Sequence, residues 1–215
     1  SIAASNVQIS DCGQEVIERR KEKAHKDYKN EISLMTTASL NVRFKGQMYV
    51  IKALAILKKH GINAKYYLVG GGDKQFLQKV AKRSGVEDRV VFCGRMSLDD
   101  VLKKIDDIDI YLQPSLQEGL PRSVIEAMSR GCHAIGFRTA GIPELLLPEY
   151  VVERKDYKGI AAAIVNYIDL SVDQKINLID RNYEESKKYF KEILDKKRVL
   201  FYNEIKSELE WQSVV

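Results

Sequence analysis

A chain of 215 residues with 45% hydrophobic side chains has material for one full core and too little length for two large domains. Its net charge of +5 is mild, its lysines are interleaved with acids, and no nucleic-acid motif or aromatic platform accompanies them, so a nucleic-acid partner is not expected. No apolar run approaches the roughly 20 residues of a membrane-spanning helix, which leaves only peripheral membrane contact.

Residues 2–8 read as an extended segment, followed by a charged helix over about 13–29. That helix carries Arg19, Arg20, Lys21, Lys23 and Lys26 beside Glu15, Glu18 and Glu22. It is either a surface helix paired with its own acids or a basic contact for an anionic membrane. Residues 32–39 are apolar and β-branched enough for a first strand. Val50, Ile51, Leu54, Ile56 and Leu57 then mark a helical stripe over 47–59. The alternation continues with strand 64–70, helix 74–84, strand 90–93, helix 98–105 and strand 108–113, which Pro114 and Ser115 end. A helix over 121–130 has Pro121 in its first turn, where the missing N–H costs nothing. Strand 133–137, a turn and short helix at 141–147, strand 150–152 and helix 157–170 complete the pattern. Strands separated by helices with short connections require right-handed crossovers, hence an α/β fold with a Rossmann-like, doubly wound parallel sheet. Beyond Ser171 the chain reads as helix almost to its end, with apolar faces at Ile176 and Ile179, at Tyr189 and Phe190, and at Phe201, Tyr202 and Trp211.

Cys12, Cys93 and Cys132 have no paired spacing, and an odd count with no secretory signal points to reduced thiols in the cytoplasm. His25, His60 and His133 lack metal-ligand spacing, and His133 falls in a buried strand, where a structural role outweighs a catalytic one. No metal site is expected.

The chemistry concentrates between Gln117 and Met128. Glu118 lies on the loop before the 121–130 helix and Glu126 about one and a half turns into it. The unpaired amides of a helix first turn bind phosphate well. Carboxylates beside a phosphate would repel it, so Glu118 and Glu126 are better suited to sugar hydroxyls. A phosphate flanked by two polyols describes a nucleotide-sugar.

The stretch from Asp107 to Leu146 resembles the C-terminal half of the group 1 retaining glycosyltransferases of GT-B architecture, whose Glu-x7-Glu signature falls at Glu118 and Glu126. Phe44-Lys45-Gly46-Gln47 looks like that family's first donor-domain turn, Tyr67 to Asp73 its second strand and glycine turn, Arg89 to Gly94 its third strand, and Thr139 to Glu144 its turn before a short helix. These matches keep the family order across residues 33–170.

The resemblance implies a donor-binding half: residues 1–31 as an interdomain segment and charged helix, 32–170 as the nucleotide-sugar-binding domain, and 171–215 as helices packing back toward an N-terminal domain. Ser1 in place of Met fits a piece of a longer chain. The implied reaction moves a sugar from a nucleoside diphosphate sugar to an acceptor hydroxyl with retention, in bacterial surface-polysaccharide or glycolipid synthesis. The acceptor sugar or lipid-linked glycan is then held by the N-terminal domain, and the enzyme is cytoplasmic or peripheral at the inner face of the membrane. Within the site, Lys45 clamps the donor pyrophosphate. The family's companion arginine lies six residues earlier, where this chain has Ser39. Either Arg43 replaces it, or the site has weakened, or one cation suffices. Gly70 and Gly71 form a tight turn near the donor, and Asp73 caps the next helix. Phe92, Gly94 and Arg95 lie beside the nucleobase. Backbone amides at Gly119, Leu120, Arg122 and Ser123 receive the pyrophosphate, Glu126 the ribose hydroxyls and Glu118 the hydroxyls of the transferred sugar. Glu144 caps a helix. No cofactor or metal is implied, since the nucleotide-sugar is a substrate. A nucleotide-sugar epimerase or a phosphorylase can share the architecture, and a non-catalytic nucleotide-sugar-binding subunit is the non-enzymatic alternative.

Overall fold

The computed structural model describes residues 7–28 and 31–212, the last six of these as backbone only. Most of the extended segment expected at 2–8, and the Trp211 side chain, therefore lie outside the described residues. Six parallel strands, β1 (Ile32–Thr37), β2 (Ala64–Val69), β3 (Val90–Gly94), β4 (Ile110–Gln113), β5 (His133–Phe137) and β6 (Val151–Val152), form one sheet in the order β3-β2-β1-β4-β5-β6. The chain winds outward from β1 to β3, then crosses back over β1 to build the other half from β4 to β6. This is the doubly wound topology that the alternation of elements requires.

Helices cover both faces. α2 (Gln47–Lys59), α3 (Gln75–Ser84) and α7 (Tyr157–Asp169) bury one face, where Ile32, Leu34, Tyr66, Leu68, Ile110, Leu112 and Phe137 meet Val50, Leu54, Leu57, Leu77 and Ile164. α4 (Leu98–Asp107), α5 (Arg122–Met128) and the short α6 (Ile142–Leu145) bury the other against Met35, Val69, Tyr111 and Ala134. The alternation of side chains along β1, with Leu34 to one layer and Met35 to the other, makes this two-sided burial possible.

The N-terminal helix is shorter than its charge pattern suggests, running only over Gln14–Lys23 (α1) rather than 13–29. Tertiary bonds explain the early end. Arg20 is buried, and its guanidinium donates to the carbonyls of Ile105 (2.5 Å), Ile108 (2.6 Å) and Arg130 (3.2 Å). Lys23 donates to the carbonyls of Asp106 (2.9 Å) and Asp107 (2.7 Å), so the two cations cap the negative end of α4. Lys26 reaches the buried carboxylate of Asp109 at 2.8 Å, which also accepts from the Ser33 amide and hydroxyl. Lys21 pairs with Asp180 at 2.9 Å and lies farther, 3.8 Å, from Glu18. Arg20, Lys21, Lys23 and Lys26 thus anchor the helix to other elements rather than mainly to its own acids, while Arg19 is exposed.

The C-terminal region is two helices, in line with the helical reading beyond Ser171. α8 (Val172–Lys187) starts at a capping box in which Ser171 and Gln174 satisfy each other's backbone amides. The chain then breaks at 188–190, and α9 (Lys191–Gln212) begins where the Lys191 amide donates to the Ile9 carbonyl at 2.9 Å. Leu194 is buried, whereas Val199, Leu200 and Tyr202 further along α9 are exposed.

His133 lies deep in the core, its ring stacked on Tyr167 (centroids 4.4 Å apart) and edge-on to Tyr150 (4.2 Å), well away from the carboxyl end of the sheet. Among the described residues no helix is long and apolar enough to cross a membrane, and no three His, Cys, Asp or Glu side chains converge as a metal site.

Candidate functional site

The two halves of the sheet part between β1 and β4. Their register covers only Leu34–Ile110 and Met35–Tyr111, so the backbone ladder stops before the strands end. Side chains bridge the remaining gap. The Thr36 hydroxyl donates to the Leu112 carbonyl at 2.7 Å, and the Thr37 amide donates to the Tyr111 hydroxyl at 3.0 Å. Above them opens a cleft of about 500 Å3. In open α/β sheets this switch point is where ligands bind.

Lys45, Glu118, Leu120, Arg122, Ser123 and Glu126 all line the cleft, so the central residues singled out from the sequence converge there. Gly46 makes the convergence of Lys45 possible. It adopts φ +75°, and a Cβ there would lie 1.9 Å from the Pro114 carbonyl oxygen. Only glycine allows the loop before α2 to press this closely on the end of β4. The Lys45 ammonium consequently meets Glu118 Oε1 at 2.6 Å. The same oxygen accepts from Gln113 Nε2 at 2.8 Å. Both partners of the ion pair are partly shielded, Glu118 being 12% exposed and Lys45 27%.

α5 starts from the Glu118 loop, with Pro121 in extended conformation as its N-cap rather than inside the first turn. The helix ends at Met128, sooner than the expected 130. The chain there turns toward Gly131, which adopts φ +62°, and the Ser129 hydroxyl donates to the Glu126 carbonyl at 2.8 Å. The amides of Arg122 and Ser123, in the first turn, have no acceptor within the helix, and both residues line the cleft. Gly119 accepts from the Gly141 amide at 3.0 Å, which fixes the loop against α6. Glu126 faces the cleft from the second turn. Burial raises its pKa, while the nearby Arg122 guanidinium partly offsets that rise. Arg122 is itself exposed at the cleft edge.

Other expected residues stand apart from the cleft wall. Arg43 opens the 3-10 turn that Lys45 closes (Arg43–Lys45), and with three residues per turn their side chains diverge. Its guanidinium stacks over the Phe76 ring at 4.3 Å, on the α3 side. Arg43 is thus held on the α3 side, and it is not among the residues that line the cleft. The Ser39 carbonyl accepts from the Gln47 side-chain amide at 3.0 Å. Gly70 does allow a close backbone approach, but to the loop after β1: a Cβ there would lie 2.0 Å from the Ala38 carbonyl oxygen. The Gly71 carbonyl accepts from the Leu40 amide at 2.9 Å, and Arg95 lies across Gly71. These residues shape the Ala38 loop, and Ala38 lines the cleft. Phe92 packs on the core with the Lys74 ammonium over its ring, and the Gly94 carbonyl accepts from Gly70 at 2.8 Å. From this side Leu98, not Phe92, reaches the cleft. Asp73 accepts from the Gln75 amide at 2.8 Å, a helix-start contact one residue before the N-cap, Lys74. Glu144 sits in the first turn of α6 without a side-chain cap bond.

The sequence reading missed Gln8, Thr37, Leu98 and Gln113, all of which line the cleft. Gln113 had a usable signal, since it is a polar residue ending an otherwise apolar buried strand and must find partners there. Gln8 reaches the cleft because buried Val7 and Ile9 on either side turn it outward. That contact joins elements far apart in sequence.

The chain is similar to known proteins in sequence and in fold. Protein CapJ of Staphylococcus aureus is 30% identical over 131 residues, covering 60% of this chain and 34% of the relative. The amylovoran biosynthesis glycosyltransferase AmsK of Erwinia amylovora is 30% identical over 144 residues, covering 62% and 35%. The chain thus spans about a third of the length of these curated relatives. Anabaena HepE, solved in complex with UDP and glucose, superposes with a TM-score of 0.73 at 19% identity, over 89% of this chain and 52% of that one. The fold is therefore the one shared by GT-B glycosyltransferases. The profile described as Glycosyl transferases group 1 matches residues 31–169, the whole sheet with the cleft at its centre, and the chain belongs to that family.

Proposed function

We propose that this chain is the donor-binding half of a retaining glycosyltransferase. It binds a nucleoside diphosphate sugar in the β1–β4 cleft and takes part in surface-polysaccharide or glycolipid synthesis. The observation that carries this reading is the convergence of Lys45, Glu118, Glu126 and the first-turn residues Arg122 and Ser123 of α5 on one cleft at the topological switch point. In this reading the diphosphate lies between the Lys45 ammonium and the amides of the Gly119–Ser123 loop. Glu126 accepts the ribose hydroxyls and Glu118 those of the transferred sugar. The polysaccharide assignment is supported by the relative named for amylovoran biosynthesis, and the UDP-glucose complexes of HepE support a nucleotide-sugar ligand.

The chemistry follows from this charge layout. The bond between the anomeric carbon and the donor phosphate oxygen breaks, and its electron pair stays on the diphosphate. Lys45 and the helix amides stabilise that growing charge without requiring a metal. The acceptor hydroxyl attacks from the same face and passes its proton to the departing phosphate, so configuration is retained. Acceptor contacts belong to an N-terminal domain, toward which the exposed Val199, Leu200 and Tyr202 of α9 pack.

Calorimetric titration of the chain with UDP, GDP, ADP and their sugar conjugates tests the assignment. Saturable binding of one nucleotide series is expected, weakened by both Lys45→Ala and Glu126→Ala without loss of fold. Undiminished binding in both variants would overturn it.

A further inference from the structure

Gln113 is a buried polar side chain at the cleft to which the donor-site reading gives no role. It ends β4 with only 2% of its surface exposed, yet its amide is fully engaged. Nε2 donates to Glu118 Oε1 at 2.8 Å and to the Ser115 hydroxyl at 2.9 Å. Oε1 accepts from the Ser123 hydroxyl at 3.0 Å and, at 3.4 Å, from the Tyr111 hydroxyl. The orientation of the amide follows from chemistry, because an ionised carboxylate only accepts and so the NH2 group must face Glu118. Gln113 thus joins the Glu118 loop to the first turn of α5 and to the Tyr111–Thr37 bridge across the sheet.

Glu118 Oε1 has two donors, Gln113 and Lys45, the latter at 2.6 Å. A phosphate oxygen arriving at Lys45 competes for the same ammonium. If Lys45 were the only donor to Glu118, each hydrogen bond given to the phosphate would leave a shielded carboxylate unpaired, and donor binding would be opposed. A second, neutral donor that does not itself face the phosphate removes that conflict. We propose that Gln113 is a positioning residue that holds Glu118 in place while Lys45 transfers its hydrogen bonds to the donor diphosphate. This rests on the donor-site reading above.

The test is a double-mutant cycle by calorimetry, using whichever of UDP, GDP and ADP binds the unaltered chain tightest. Gln113→Leu is expected to weaken binding roughly tenfold when Glu118 is present, and by less than about twofold in a Glu118→Ala background. Gln113→Asn keeps an amide in the site but falls one methylene short of Glu118. It should reproduce the loss, and it serves if the leucine variant does not fold. A penalty of equal size in both backgrounds would mean that Gln113 only braces the loop, and would overturn the proposal. So would the absence of a penalty when Glu118 is present. Failure of the unaltered chain to bind any of the three nucleotides would remove the donor-site reading itself and the role of Gln113 with it. That outcome is distinct from a chain that binds but shows no coupling.

Discussion

Replacing His133 by phenylalanine should flatten the acid sensitivity of this fold. The imidazole is buried between Tyr150 and Tyr167, and its Nε2 atom has no hydrogen-bond partner. Burial, helped by the Arg181 guanidinium, lowers its pKa from 6.5 to about 3. A base with a depressed folded pKa binds its proton more readily in the unfolded chain. Stability is therefore complete above 6.5 and falls as the pH drops from there toward 3. Between pH 7 and pH 5 the unfolded imidazole becomes almost fully protonated while the folded one stays neutral. At about 1.4 kcal/mol per unit this difference comes to about 2 kcal/mol.

Urea unfolding at the two pH values measures the effect in the wild type and in His133→Phe. The phenyl ring keeps the stack and removes the unpartnered nitrogen, so the variant should lose about 2 kcal/mol less than the wild type on acidification. Other groups titrate too, including Glu126, whose raised pKa acts in the opposite direction, but they are common to both proteins and cancel in the difference. Equal losses in the two proteins would refute the reasoning and would mean that the core admits a charged imidazolium. The outcome also bears on function, because a histidine kept neutral and enclosed far from the cleft has no access to a substrate proton.

The cleft supports further expectations. Lys45→Ala should weaken nucleoside diphosphate binding by about 2 kcal/mol, roughly thirtyfold, by removing a charge-assisted bond; calorimetry reads this directly. Glu126→Gln should stabilise the fold at pH 7 while weakening donor binding. A carboxyl with a raised folded pKa contributes its stability below the unfolded value and loses it as the pH rises through the folded value. The gain in melting temperature should therefore vanish near pH 4. Gly46→Ala should be far more damaging than an ordinary loop substitution, since its Cβ would collide with the Pro114 carbonyl; circular dichroism should show a lowered melting temperature, and titration a loss of nucleotide affinity. Arg43→Ala should leave donor affinity within about twofold of wild type and cost about 0.5–1 kcal/mol of stability from the lost stack on Phe76.

The sequence made most of the architecture legible because the signals were local and repeated. The helix over 47–59 and the strand over 133–137 fall where their apolar patterns place them. The Lys-Gly turn and the two spaced glutamates marked the cleft because each carries its geometry within a few residues. Lys45 and Glu118, read separately as a phosphate clamp and a hydroxyl acceptor, turned out to bond each other, which no spacing of 73 residues could announce. The same limit explains α1. Nothing in its own sequence stops it at Lys23, and the carbonyls that Arg20 and Lys23 seek lie more than 80 residues away. Arg43 shows the same limit: proximity in sequence to Lys45 suggested a shared target, whereas its guanidinium stacks over Phe76, which the local sequence does not announce.

The balance of charge in the cleft bears on what kind of ligand fits it. Lys45 and Arg122 face Glu118 and Glu126, so the formal charges cancel and the site has no net pull on a free anion. A bare phosphate would gain the ammonium and the amides of the α5 first turn but would stand against two carboxylates, one of them already held from water by burial. A ligand that brings hydroxyl groups on both sides of its phosphates changes that balance. Each carboxylate then accepts hydrogen bonds in place of repelling charge, and Lys45 is released from Glu118 to the diphosphate. A nucleoside diphosphate alone would engage Lys45 and Glu126 but would leave Glu118 with Gln113 as its remaining donor. If the cleft is the donor site proposed above, the sugar conjugate should bind more tightly than its nucleotide even though it adds no charge; calorimetry with both would show equal affinity if the carboxylates have no such role.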